Sequence, residues 1–182
     1  MKIARLFQLF FFLFIIIISS CSDNDEEFVD TSLISFEEAT FSEDEFIIYL
    51  TEDPNGKTFS FGAGTYNFTN TIPLADIENL TIKGAGIDET YFDFSNSAST
   101  SGEGISAVDC SNLLFCGFTI QNTNGGNAIT ARNITGLRID GVGTVWPESS
   151  PDNGAYGIYP VESDDVIVEN CYAQAAVDAG IY

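Results

Sequence analysis

The 182-residue chain carries 27 Asp and Glu against 6 Lys and Arg and has no histidine, giving a formal net charge of −21. Such a field repels nucleic acid and anionic lipid heads. It also opposes unaided binding of polyanionic sugars such as pectate or alginate, unless Ca²⁺ bridges them. The lack of histidine removes the commonest general base and metal ligand. Cys110, Cys116 and Cys171 allow one disulfide at most and fit buried thiols equally well, and no Cys/His zinc pattern is present, so no metal ligand set is assigned.

At the N-terminus, Lys2 and Arg5 precede an apolar run of Phe, Leu and Ile over residues 6–18. The run falls short of the about 20 residues a membrane-spanning helix needs, so it reads as a secretory leader, residues 1–20. Its end, Ile18-Ser19-Ser20-Cys21, resembles the lipobox of bacterial lipoproteins. That resemblance implies lipidation at Cys21, a membrane contact through the lipid anchor, and a place in the cell envelope on the outer membrane. The acidic segment Ser22-Asp23-Asn24-Asp25-Glu26-Glu27 has no apolar anchor, and residues 21–35 are expected to form a solvated tether. An acidic stretch at this place also resembles the surface-export signal of some Gram-negative lipoproteins, and it fits a plain spacer as well.

Residues 36–53 are expected to cap a core. Ser42-Glu43-Asp44-Glu45 reads as a capping box, and Phe46, Ile47 and Leu50 share one face of a helix from about Glu43 to Glu52. Pro54-Asn55-Gly56 then turns the chain.

From residue 54 onward a repeat dominates. Leu80-Thr81-Ile82-Lys83-Gly84, Leu113-Leu114-Phe115-Cys116-Gly117, Leu137-Arg138-Ile139-Asp140-Gly141 and Val166-Ile167-Val168-Glu169-Asn170 each read as a short strand ending in a turn residue. Each follows Asn79, Asn112, Gly136 or Asp165, residues that tolerate a left-handed backbone. Ile72, Ile105, Ile129 and Ile158 stand eight positions ahead of the four strands although the strands are unevenly spaced. A constant frame with insertions at residues 95–104 and 146–154 is a solenoid signature. Phe59-Ser60-Phe61, 21 residues before Leu80, reads as an earlier rung. Ile181 extends the series and predicts a further strand from position 189, so the solenoid of residues 54–182 is expected to be incomplete at its C-terminus.

These coils resemble right-handed parallel β-helix repeats of the pectin-lyase-like superfamily. The segments Gly154-Ala155-Tyr156-Gly157-Ile158-Tyr159-Pro160-Val161-Glu162-Ser163 and Asp178-Ala179-Gly180-Ile181-Tyr182 are similar to a family of bacterial parallel β-helix domain proteins. The resemblance covers residue 54 to the end and implies an all-β right-handed parallel β-helix with a short N-terminal capping helix. For function it is broad, because the superfamily includes lyases, glycoside hydrolases, uronate epimerases and non-enzymatic binders.

Outward positions form two columns: Lys83, Cys116, Asp140, Glu169, and beside them Thr81, Leu114, Arg138, Ile167. Stacked rungs bring Asp140 and Glu169 together, where two carboxylates either divide acid and base roles or share a Ca²⁺ ion. Arg138 is placed to neutralise a substrate carboxylate; the other reading of all three is a solvated ionic patch. Trp146, Tyr156 and Tyr159 are candidates for stacking on sugar rings, or for packing a loop onto the solenoid. Asp152-Asn153-Gly154 reads as a turn, and Asp178 and Tyr182 stand where a site could continue at the C-terminal end, or serve as ordinary turn and core residues. Asp164-Asp165 is superficially similar to the paired aspartates of β-helix glycoside hydrolases, but the histidine-containing companion motif is missing, so no catalytic role transfers. The expected function is an exported, lipid-anchored β-helix that binds or modifies a neutral or weakly charged polysaccharide as a lyase, hydrolase or epimerase. The alternative is a non-catalytic structural or adhesion solenoid. A metal-chaperone β-helix would need histidine or methionine ligands, and Met1 is the single methionine.

Overall fold

In the computed structural model, which describes residues 32–182, the short alternating segments become parallel strands wound into a β-solenoid of about six turns. The leader, Cys21 and the tether to residue 31 lie outside the described residues. Strand β1 (Leu33–Phe36) is followed by a one-turn 3-10 helix (Glu38–Thr40) and α1 (Glu43–Glu52). The coils then begin with β2 (Thr58–Phe61), β3 (Gly64–Asn67), β4 (Ile72–Ala75), β5 (Glu78–Lys83) and β6 (Thr90–Asp93). They continue through β7 (Ile105–Val108), β8 (Ser111–Gln121), β9 (Ile129–Arg132) and β10 (Thr135–Val145). The last are β11 (Tyr156–Val161), β12 (Asp164–Glu169), β13 (Tyr172–Gln174) and β14 (Ala179–Ile181).

One wall of the solenoid is the sheet β4-β7-β9-β11-β14, and a second is β1-β2-β5-β8-β10-β12. The long strands β8 and β10 bend at Gly117 and Gly141, both at positive φ, and their later halves pair with β6 and β13 to make a third wall. The isoleucine landmark is a stacked column: Ile72 pairs with Ile105, Ile105 with Ile129, and Ile129 with Ile158. All four are fully buried. At about 1.5–3 kcal/mol for each buried aliphatic side chain, this column is a large share of what holds the coils together. The positions before the second-wall strands do adopt left-handed backbone, with φ of 59° at Asn79, 53° at Asn112, 77° at Gly136 and 54° at Asp165. Three residues earlier, Asp76, Asp109, Asn133 and Glu162 form a second left-handed column, so each corner turns through two such residues.

The helix expected from the capping box is present, with Ser42 Oγ accepting the Glu45 amide at 3.3 Å and Phe46 and Leu50 buried. Phe46 meets Phe36, Phe59 and Phe61 edge-on, so the coil at this end is closed by aromatic packing. Glu43 fastens the helix from outside: its carboxylate accepts the amides of Thr69 and Asn70, both at 2.9 Å, and the Thr69 hydroxyl at 2.7 Å.

Two details differ from the expectation. Residues 33–35, assigned to the tether, form most of β1, which pairs in parallel with β2. Phe59 pairs with Ile82, not Leu80, because the turn at 54–56 takes the place beside Glu78: Asn55 Oδ1 accepts the Glu78 amide and Gly56 N donates to its carbonyl. A shift of two residues keeps Phe59 and Phe61 facing inward.

Candidate functional site

The second wall carries the outward columns in the expected register. Cys116 pairs with Asp140 and Asp140 with Glu169, while Leu114 pairs with Arg138 and Arg138 with Ile167. Asp140 and Glu169 are therefore neighbours on adjacent rungs. The Arg138 guanidinium lies between them, 3.4 Å from Asp140 Oδ2 and in contact with Glu169 Oε1. Asn170 Nδ2 donates to the other Asp140 oxygen at 2.8 Å. The place where a Ca²⁺ ion or a substrate cation would bridge the carboxylates is thus filled by a side chain of the same protein. The three residues form a partly exposed ion-pair network, an arrangement of modest energetic weight.

Trp146 departs from the surface-stacking expectation. Strand β10 runs on to Val145, so Trp146 falls at its end and turns inward, 2% exposed, with its indole N–H donated to the Thr123 carbonyl at 3.0 Å. Its ring faces are in the core and out of reach of a sugar. Among the described residues no disulfide joins Cys110, Cys116 and Cys171. Burial pushes the Cys110 and Cys171 thiols up, which keeps both protonated at neutral pH.

Tyr156 and Tyr159 lie on the first wall, away from the Asp140 network. Their rings stack at 4.5 Å with 21° between planes, and Tyr182 joins them at 5.1 and 5.7 Å. The stack follows from the corner at the start of β11. Gly157 and Ile158 are buried, so the residues on either side of them both emerge at the surface. A Cβ at Gly157 would meet Thr144 Oγ1 at 2.3 Å and the Gly180 carbonyl at 2.5 Å, so only glycine lets the corner close this tightly. The Asp178 carboxylate beside Tyr156, followed by desolvation, holds its phenol above the ordinary value.

The rung beneath carries the same pair of positions in polar form. Tyr159 pairs with Thr130, and the Tyr156 amide donates to Asn127 Oδ1 at 3.0 Å. Asn127 Nδ2 donates to Thr130 Oγ1 at 3.1 Å, and the Thr130 hydroxyl in turn contacts Glu103 Oε1. Below Thr130 the column continues with Ser106 and Pro73. The first wall thus presents a strip that runs from hydroxyl, amide and carboxylate groups to an aromatic platform over consecutive rungs.

No family model matches the chain, and no curated protein matches it. Among solved structures, the crystal structure of a "putative glycosyl hydrolase" from Parabacteroides merdae aligns over 76% of this chain and 97% of that chain, at 14% identity and a TM-score of 0.47. A likeness of that size carries no argument about activity or substrate, so the functional reading rests on the side chains of the strip.

Glu103, Asn127 and Thr130 were not singled out from the sequence, although the signal was there. Asn127 and Tyr156 each stand two positions before a column isoleucine, and Thr130 and Tyr159 each stand one after. Aligning the repeat on Ile105, Ile129 and Ile158 puts the polar pair directly under the aromatic pair.

Proposed function

We propose that this protein binds polysaccharide through the first-wall strip, with Tyr156 and Tyr159 as the platform on which sugar rings stack. The observation that carries the reading is the surface stack of the two tyrosines above hydrogen-bonding side chains. Pyranose rings have an apolar C–H face and a polar hydroxyl edge, and rigid aromatic rings beside amide and carboxylate groups complement both. Export and lipid anchoring at Cys21 belong to the same proposal, supported by the leader and the lipobox-like end; they would hold the strip at the cell envelope, on the outer membrane. Binding of nucleic acid is disfavoured by the charge.

The second reading, a structural or adhesion solenoid without catalysis, is favoured by the Arg138 clamp, which occupies the carboxylate pair otherwise suited to acid-base work. The first reading requires a glycan on the strip, bound or also modified; the second requires neither a bound glycan nor a cleaved bond. The test is a glycan array probed with the full chain and with the Tyr156→Ala/Tyr159→Ala variant. Binding to at least one glycan class that the variant loses supports the proposal; equal signals from both proteins defeat it. Product analysis on the bound glycan then separates binding from modification, and the Arg138 clamp leads to the expectation of no cleavage.

A further inference from the structure

We infer that Glu103 sets the specificity of the strip, accepting hydrogen bonds from the hydroxyls of a neutral glycan whose chain runs along the solenoid axis from rung to rung. This rests on the glycan-binding reading of Tyr156 and Tyr159 and adds the substrate class and its direction.

Glu103 stands two positions before Ile105, in the column that continues through Asn127 to Tyr156. Its carboxylate leans up one rung to Thr130, which is 7% exposed and lies directly beneath Tyr159. The carboxylate is therefore fixed one to two rung spacings, ~5–10 Å, from the tyrosine platform. Oε1 is engaged by the Thr130 hydroxyl, which leaves Oε2 as an acceptor at the polar end of the strip. A sugar resting on Tyr159 presents its hydroxyl edge at that distance, and a carboxylate acceptor suits hydroxyl donors while repelling a ligand carboxylate. Asp178, beside Tyr156 at the other end, adds the same sign. Arg132 is the sole basic residue in the five strands of this wall, and it lies at the far end of β9 from the Asn127 and Glu103 column. An extended ligand on the platform and the carboxylate together must follow the stacking direction, because Glu103 and Tyr159 stand two rungs apart along it.

Dissociation constants of the full chain for neutral hexasaccharides of glucose, mannose and xylose, and for the galacturonate hexasaccharide, test this directly. The wild type is expected to bind at least one neutral ligand and to bind the galacturonate at least tenfold more weakly. Glu103→Gln is expected to weaken neutral binding about tenfold, the scale of one hydrogen bond to a charged group, and to narrow the gap to galacturonate. Thr130→Val, which releases Glu103, should move both quantities the same way, and thermal melts of both variants check that the fold is kept. Tyr159→Ala should lose every ligand that the wild type binds. If a folded Glu103→Gln protein keeps the wild-type affinity and discrimination while Tyr159→Ala loses binding, the role of Glu103 is overturned and the platform stands. If the wild type binds none of the four ligands, the inference and the platform reading fall together.

Discussion

Asp93 shows how a single side chain couples this fold to pH. Its carboxylate lies on the third wall and accepts the Ser95 amide at 2.7 Å, Gln121 Nε2 at 2.6 Å and Asn122 Nδ2 at 3.1 Å. Burial alone would raise its pKa, but the hydrogen bonds from Ser95, Gln121 and Asn122 outweigh it and hold the group below 3.8. With the folded pKa below the unfolded one, the unfolded chain binds more protons in the interval, so stability rises with pH there. The contribution is complete above the ordinary aspartate value, about 3.9, and is lost as pH falls through the folded pKa. The melting-temperature difference between wild type and Asp93→Asn should be constant above about pH 5 and shrink toward acid. At the same scale, Trp146→Ala removes a buried ring and its hydrogen bond and should cost about 3–5 kcal/mol in urea denaturation. Trp146→Phe, which keeps most of the volume, should cost about 1–3 kcal/mol, the scale of leaving the Thr123 carbonyl without its donor. Trp146 could not be placed from sequence because the residues after it, Pro147 to Gly154, read as a loop, and nothing local shows that β10 continues to Val145.

At the scale of elements, the repeat was readable because its physical cause is periodic. The isoleucine column must face inward on every coil, and the left-handed position just before each second-wall strand is Asn, Gly or Asp in all four repeats, so both leave a mark at fixed spacing. The register of Phe59 left no such mark, since it depends on Asn55 and Gly56 bonding to Glu78, a contact between turns of different chemistry. The binding strip was half readable. Tyrosines on a coil draw attention, whereas Asn127 and Thr130 look like turn residues until the coils are aligned. The corner conformation gives a direct check: Asn79→Gly should change stability by only a few tenths of a kcal/mol beyond the lost Asn112 side-chain bond, and Asn79→Val should cost about 1–2 kcal/mol more than the glycine variant. For α1, Ser42→Ala should cost about 1 kcal/mol in the same denaturation assay, the usual value of an N-cap.

Over the whole molecule, the apolar interior changes along the axis. Rings of Phe36, Phe46, Phe59, Phe61, Phe68 and Phe92 crowd the coils next to α1, whereas the later ones are filled mainly by Ile, Leu, Val and Ala, with Phe115, Phe118 and Trp146 among them. Stability in such an array is close to a sum of rung-to-rung interfaces. Strands β5, β8 and β10 are paired on both sides, whereas β12, β13 and β14 pair on one side among the described residues. Hydrogen exchange should therefore be slowest in the first group and fastest in the second. The Asp140, Glu169 and Arg138 network lies on the second wall and the proposed tyrosine strip on the first.

An NMR titration of the isotope-labelled protein with a neutral hexasaccharide locates the glycan on the surface. Signals of Tyr156, Tyr159, Asn127, Thr130 and Glu103 should shift, with those of Arg138, Asp140 and Glu169 unmoved. Perturbations centred on Arg138, Asp140 and Glu169, or none at saturating sugar across the glucose, mannose and xylose series, would contradict binding on the strip.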